Sequence, residues 1–218
     1  MNKILTIAVH PDDETLGCGG TLLKHKSKGD EIHWLICSSL NKNHSYYNIR
    51  EKEINKVSKL YNFNSVNRLP LETTKVDQFS ISEIIEMISK LIKKIKPNII
   101  YLPFKEDVHT DHKKIFEASY SCTKSFRYPF IKKIYMMETL SETDFAPSIK
   151  KDSFVPNTFV NIDKFIKKKI QIMKVYKSEI HNHPFPRSNK NIKALATYRG
   201  GTSGCKFAES FILLKEII

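Results

Sequence analysis

Two repeating patterns of apolar and polar positions divide the chain into candidate strands and helices. Short apolar runs predict strands over residues 3–9, 31–39, 65–71, 98–103 and 132–140, with residues 154–162 also extended. Segments with apolar residues at helical spacing predict helices over residues 15–29, 48–63, 81–96, 112–126, 163–180 and 191–199. Residues 207–217 fit a strand or a helix. Strands and helices therefore alternate along most of the chain.

Local signals predict where several of these helices begin and end. Pro97 ends the clearest amphipathic helix, at residues 81–96. Asp163 has the side chain of a helix N-cap, and Gly200 and Gly201 are expected to end the helix over residues 191–199. Prolines and polar residues between these two helices predict a loop over residues 181–189.

The alternation of strands and helices favours one fold class. Such chains build mostly parallel sheets with helices on both faces, so we predict a Rossmann-like α/β fold. The 218 residues, of which 40% are hydrophobic, suit a single domain over residues 1–218. We find no internal repeat and no low-complexity linker.

The charge and the cysteines limit the partners and the cellular location that the sequence predicts. The net charge is +13, but only five of the 36 basic residues are arginine, the residue that phosphate and base recognition favours. We therefore expect no nucleic-acid partner, whereas an anionic small-molecule substrate stays compatible. The four cysteines form no CxxC pair, and no apolar run approaches membrane-spanning length. These features predict a cytoplasmic protein with reduced thiols and no membrane segment.

The residues after the first strand carry the most distinctive chemistry. The sequence HPDDE, residues 10–14, stands where a dinucleotide-binding fold needs GxGxxG, and its GCGG comes later, inside the predicted helix. His10 and Asp13 lie across a strand-to-helix turn and can converge on one metal ion beside Asp12. An acidic helix N-cap is the alternative, but it leaves His10 unexplained.

A second cluster follows the strand at residues 98–103. His109, Asp111 and His112 lie at the predicted start of a helix. The loops at the carboxyl ends of parallel strands share one crevice, so both clusters are expected to face the same site.

These motifs resemble the LmbE-like, or PIG-L, family of metal-dependent N-deacetylases. VHPDDE is similar to the family's AHPDDE, and HTDH is similar to its HxDH. REKE at residues 50–53 and RGGTSGCKFAESF at residues 199–211 resemble further family segments, so the resemblance covers nearly the whole chain.

The resemblance implies a role for each motif residue. His10, Asp13 and His112 would bind the metal, Asp12 would be the general base, and His109 would be the electrophilic or acid partner. Asp111 would orient a histidine. Zinc is the family's usual metal, although two histidines and one carboxylate also suit ferrous iron. His109, as a protonated imidazole, would stabilise the tetrahedral oxyanion. Asp12 or His109 would protonate the leaving amine, and the sequence does not choose between them.

The implied reaction is hydrolysis of the N-acetyl group of an N-acetylglucosamine-type sugar or its conjugate. A hydrolase of another acylamide and a nucleotide-binding module without catalysis are the alternatives. Arg50, Tyr198 and Arg199 are the expected substrate-binding residues, and homo-oligomers are common in the family. The pair His181 and His183 is expected on a rim loop, and Glu138 is a further candidate for contact with the sugar.

Overall fold

The computed structural model describes residues 1–147, 149 and 153–218. Seven strands in this part of the chain form one sheet in the order β3-β2-β1-β4-β5-β7-β6. Their bounds are β1 Lys3–Ala8, β2 Glu31–Ser39, β3 Ser65–Glu72, β4 Ile99–Leu102, β5 Lys133–Met137, β6 Thr158–Asn161 and β7 Ala208–Glu216. The helices are α1 Asp13–Ser27, α2 Tyr47–Tyr61, α3 Ile81–Ile95, α4 Thr110–Ser121, α5 Ile166–Met173 and α6 Asn189–Ser203.

The strand pairing confirms a mostly parallel α/β sheet. Strands β1 to β5 pair in parallel, whereas β7 is antiparallel to both β5 and β6. The ambiguous segment over residues 207–217 is therefore a strand. The chain runs outward from β1 through β2 to β3 and then returns to β4 on the other side of β1. This reversal opens a crevice beyond the carboxyl ends of β1 and β4, where doubly wound folds bind their ligands.

Apolar side chains cover both faces of the sheet. On one face α3 contributes Ile84, Ile88 and Ile92, and α4 packs beside it with Ile115. On the other face lie α1, α2, α5 and α6, and the cluster there contains the fully buried Trp34. Helices cover both faces of the sheet, as predicted. The loops therefore lie at the amino and carboxyl ends of the strands. No helix in the described residues is long and apolar enough to cross a membrane.

Helix α1 is broken near its start by a contact from the other end of the chain. Cys18 has non-helical backbone angles, and the N–H groups of Gly20 and Thr21 both donate to Glu209 at 2.7 Å. The buried Lys169 balances this carboxylate at 2.7 Å and also donates to the carbonyl of Leu16 at 2.8 Å. Strand β7 and helix α5 thereby fix α1 on both sides of the break at Cys18, just after the HPDDE motif.

Two predicted helix boundaries are wrong. Asp163 is not an N-cap, because its carboxylate accepts the backbone N–H of Phe207 at 2.7 Å and α5 begins only at Ile166. Gly200 and Gly201 lie inside α6, which ends instead at Gly204 with a φ of 71°. Glycine adopts this left-handed conformation without steric cost, so it is a common helix terminator.

The two internal glycines of α6 offer a matched test of this packing. A Cβ on Gly200 would lie 2.7 Å from the backbone of Cys205 and Lys206, whereas a Cβ on Gly201 would meet nothing within 4 Å. We expect Gly200→Ala to lower the free energy of unfolding by about 1–3 kcal/mol through overpacking. Gly201→Ala should raise it by about 0.5–1 kcal/mol because alanine favours the helix. Urea unfolding measures both, and equal effects would contradict the close approach at Gly200.

Candidate active site

A cavity of about 190 Å³ opens at the carboxyl ends of the parallel strands. His10, Asp12 and Asp13 line it after β1, and His109 lines it after β4. The C-terminal third of the chain adds Glu179 and Arg187. Both predicted clusters therefore face one site, which is partly enclosed by residues that follow α5.

The backbone at Asp12 is held in an unusual conformation. Asp12 has a φ of 141°, and its N–H donates to the carboxylate of Glu14 at 3.1 Å. Glu14 is fully buried and also accepts the hydroxyl of Tyr176 at 2.9 Å. Burial raises the pKa of Glu14 to about 7. Strained backbone of this kind is found at functional sites, where surrounding contacts maintain it.

The side chain of Asp12 does not cap α1, which argues against the N-cap interpretation. No side-chain hydrogen bond closes the start of this helix. Asp13 instead accepts the backbone N–H of His10 at 2.8 Å and turns its carboxylate toward the histidines. The acidic pair is thus directed into the cavity.

Three histidine rings meet at this point. The ring centre of His10 lies 4.7 Å from that of His109 and 5.3 Å from that of His112. His109 is the N-cap residue of α4, and His112 is fully buried in its first turn. The start of one helix therefore brings the second cluster to the first.

His10, Asp13 and His112 have the geometry of a metal site. Their candidate ligand atoms all lie within 4.8 Å of one another. The Nε2 atom of His112 is buried, lies 3.4 Å from a carboxylate oxygen of Asp13, and has no hydrogen-bond partner among the described residues. A buried nitrogen without a partner is costly unless a ligand satisfies it, so these residues fit a metal ion.

A second group, His10, His109 and Asp111, also has ligand atoms within 4.8 Å. Two of its members are already engaged: His109 Nδ1 accepts the N–H of Asp111 at 3.1 Å, and the Asp111 carboxylate accepts the N–H of Thr74 at 2.8 Å. The group with His112 is therefore the better candidate. Asp111 lies 3.4 Å from Nε2 of His10, the position from which it could orient that histidine.

Asp107, which was not among the predicted site residues, contacts His112 on the Nδ1 side of the ring. Its carboxylate lies 2.8 Å from Nδ1 of His112 and accepts the hydroxyl of Thr143 at 2.6 Å. Metal-binding histidines commonly make such a bond with their second nitrogen. Burial alone lowers the pKa of His112, but the carboxylates of Asp13 and Asp107 raise it to about 9. The pocket around this ring therefore attracts positive charge.

His109 is better suited to act as a neutral donor than as the expected protonated imidazole. Burial and the neighbouring His10 ring lower its pKa. Because Nδ1 accepts the N–H of Asp111, the neutral ring carries its proton on Nε2. His109 can thus donate a hydrogen bond without being charged.

Arg187 is the second residue that the sequence analysis missed. Its Nη1 donates to Asp12 Oδ2 at 2.8 Å and to Glu179 at 2.7 Å, while Nε donates to Ser141 at 2.6 Å. One signal could have identified Arg187: arginine is rare in this chain, and this one lies in the proline-containing loop after α5. Only the histidines of that loop were considered as candidates. Burial raises the pKa of Asp12 to about 8, and Arg187 is the main opposing influence.

The expected substrate-binding residues divide into two groups. Arg50 lines the cavity, but it is buried and donates to Pro11 O, Ser178 and Glu179. Tyr198 and Arg199 do not line this cavity: Tyr198 is 67% exposed, and Arg199 is paired with Glu138. The structure therefore brings only Arg50 to the site.

Three further candidates, His181, His183 and Glu138, lie away from the cavity lining. His181 and His183 are in the loop between α5 and α6, as predicted, and neither lines the cavity. Glu138 is engaged by Arg199 and by the hydroxyl of Ser210 at 2.5 Å.

Comparison with known proteins identifies the family of the chain. The profile of the PIG-L family, described as GlcNAc-PI de-N-acetylase, matches residues 5–123, which is more than half of the chain. The protein therefore belongs to the PIG-L family. Diacetylchitobiose deacetylase from Thermococcus kodakarensis is 21% identical over 96% of this chain and 82% of its own length.

Solved structures share the fold at low identity. N,N'-diacetylchitobiose deacetylase from Pyrococcus horikoshii has a TM-score of 0.76 at 18% identity, covering 98% of this chain and 84% of its own. The 4-carboxy-2-hydroxymuconate hydratase GalB from Pseudomonas putida KT2440 has a TM-score of 0.77 at 12% identity, covering 100% and 98%. Since the fold includes both a deacetylase and a hydratase, the reaction must be argued from the site.

The contact between Asp107 and His112 predicts a change in metal affinity. We expect Asp107→Asn to weaken metal binding about 10- to 100-fold, because the amide no longer holds the ring in the required tautomer. Competition with a metal-binding dye measures the affinity. Asp77→Asn, at an exposed position, is the matched control. An unchanged affinity in Asp107→Asn would contradict the assignment of His112.

The contact between Arg187 and Asp12 predicts a shift in pH dependence. Removing the guanidinium raises the pKa of Asp12, so a higher pH is needed to ionise this base. We expect Arg187→Gln to move the acid limb of the kcat/KM profile to higher pH, and Arg187→Lys to move it less. An acid limb that stays in place in Arg187→Gln would show that Arg187 does not control Asp12.

Proposed function

We propose that the protein is a metal-dependent hydrolase that removes the N-acetyl group from an N-acetylglucosamine-type amino sugar or its conjugate and releases acetate. The observation that carries this proposal is the buried Nε2 of His112, which has no hydrogen-bond partner among the described residues. It lies 3.4 Å from a carboxylate oxygen of Asp13, which lines the cavity together with Asp12 and His109. Membership of the PIG-L family and the similarity to a diacetylchitobiose deacetylase support it.

His10, Asp13 and His112 would hold the metal. A divalent ion at such a site supplies Lewis-acid chemistry, polarising an acyl oxygen and lowering the pKa of water. Two histidines and one carboxylate leave open positions for water and substrate, as catalytic zinc requires, and the same set suits ferrous iron. We propose zinc as the ion and leave ferrous iron as the alternative that metal analysis decides.

Asp12 serves as the general base. Arg187 holds its Oδ2 atom, whereas no side chain in the described part of the molecule donates to Oδ1. Oδ1 is therefore the atom that accepts a proton from the attacking water. With a pKa of about 8, Asp12 can keep that proton and return it to the leaving amine, which makes a proton from His109 unnecessary.

His109 stabilises the negative charge that develops on the acyl oxygen. The Asp111 N–H fixes the ring through Nδ1, so the Nε2–H is the donor that remains. A preorganised donor of this kind typically contributes about 100- to 1,000-fold in rate. It needs no change of protonation during the reaction.

The same site disfavours the nucleotide-binding alternative. Asp12 and Asp13 occupy the position after β1 where a phosphate-binding loop would present backbone N–H groups, and Glu142 and Glu179 add carboxylates to the lining. A hydrolase of another acylamide remains the second candidate, since the same groups would serve it. We place the reaction in the cytoplasm, which the free thiols of all four cysteines support.

Acetate release from N-acetylglucosamine and N,N'-diacetylchitobiose tests the proposal. We expect release by zinc-loaded protein, no release by His112→Ala, and a rate about 100- to 10,000-fold lower for Asp12→Asn with its metal retained. Asp77→Asn, on the surface, should match the wild type. A wild-type rate in metal-loaded Asp12→Asn would contradict the mechanism. Release of a carboxylic acid from other acylamides, but not of acetate from these sugars, would favour a hydrolase of another acylamide.

A further inference from the structure

Two arginines line the cavity, Arg50 and Arg187, and both pair with carboxylates of the protein. Guanidinium groups are the usual partners of phosphate and carboxylate, so an arginine in a sugar site normally suggests an anionic substrate. The net charge of +13 leaves such a substrate compatible. The hydrogen bonds of Arg50 and Arg187 indicate the opposite.

Arg50 is only 6% exposed and its donors are all directed at the protein. Nη1 donates to the carbonyl of Pro11 at 3.2 Å, and Nη2 donates to Ser178 at 2.9 Å and to Glu179. Nε lies 3.5 Å from a carboxylate oxygen of Glu53. These contacts hold the residue in the wall of the cavity, and the carboxylates of Glu53 and Glu179 balance its charge.

Arg187 is engaged in the same way. Its Nη1 is shared between Asp12 and Glu179, its Nε donates to Ser141, and its Nη2 lies 3.7 Å from Glu142. A phosphate that approached this guanidinium would also meet the carboxylates of Asp12, Glu142 and Glu179 around it.

Glu179 is the group that contacts both arginines. One carboxylate oxygen pairs with Arg50 and the other with Arg187 at 2.7 Å. Burial raises the pKa of Glu179, but Ser178 and the two arginines outweigh this effect and lower it. One ionised carboxylate thus occupies the place between two guanidinium groups that an anion would otherwise take.

We propose that Glu179 is a specificity-determining residue that restricts the cavity to uncharged N-acyl amino sugars. Its negative charge neutralises Arg50 and Arg187 and disfavours sugars that carry a phosphate, including nucleotide-linked ones. The remaining carboxylate oxygens can accept hydrogen bonds from the hydroxyl groups of a neutral sugar. This inference rests on the proposed deacetylase function and names its substrate class.

The test compares one neutral and one anionic sugar of similar size. Methyl N-acetyl-β-glucosaminide and N-acetylglucosamine 1-phosphate are given to the metal-loaded wild type, Glu179→Gln and Glu86→Gln. Glutamine keeps an oxygen that can accept from the arginines. Glu86, exposed on α3 and paired with Lys90, provides the same charge change outside the cavity.

We expect the wild type to have a kcat/KM at least about tenfold higher for the neutral sugar, as repulsion between partly buried charges predicts. Glu179→Gln should reduce this preference about tenfold, and Glu86→Gln should not. Equal or better hydrolysis of the phosphorylated sugar by the wild type would overturn the proposal, even if Glu179→Gln does not fold. A folded Glu179→Gln with the wild-type preference would overturn it as well.

Failure of the proposed function gives a different result. If the wild type hydrolyses neither sugar, the deacetylase assignment is contradicted, and the dissociation constants of the two sugars, measured by calorimetry, test Glu179 alone. A tenfold tighter binding of the neutral sugar that Glu179→Gln abolishes would support its role. Equal binding by the wild type would refute it.

Discussion

The burial of like charges beside β1 and β4 is the constraint on which the site depends. Asp12 and Asp13 are each 3% exposed, and His112 is fully buried next to Asp13. Adjacent buried carboxylates are unfavourable unless cations compensate them. Arg187 compensates Asp12, and the unpartnered nitrogen of His112 marks the place where a metal would compensate Asp13. In the proposed mechanism, Asp12 transfers the proton and its neighbour Asp13 binds the metal.

The surrounding structure maintains this division through contacts from distant parts of the chain. Glu209 and Lys169 stabilise the broken start of α1, and Glu14 holds the strained backbone of Asp12. Arg187 reaches Asp12 across 175 positions of sequence. The C-terminal third therefore does more than complete the sheet, because it positions the reacting carboxylate and closes the cavity.

The sequence predicted those residues of the site that lie within a single strand-to-helix junction. HPDDE and HTDH each lie at one strand-to-helix junction, and the parallel sheet confirms that both junctions face one crevice. Glu179 and Arg187 were missed because their roles arise only from tertiary contacts. Asp107 lies only five positions before His112 and was missed because an aspartate in a charged loop carries no distinctive signal. A tertiary contact also explains the wrong helix boundary at Asp163. Its carboxylate accepts the backbone N–H of Phe207, just before β7, and does not cap its own helix. Tyr198 was expected to cover the site because it lies just before Gly200 and Gly201, and it lies on the surface instead.

The most direct measurement follows acetate release from N,N'-diacetylchitobiose as the metal-free protein is titrated with zinc, with bound metal counted in the same samples. The account predicts that the rate rises in proportion to occupancy and reaches its plateau at one ion per chain. Full activity in metal-free protein, or one tightly bound ion with no gain in rate, would contradict it.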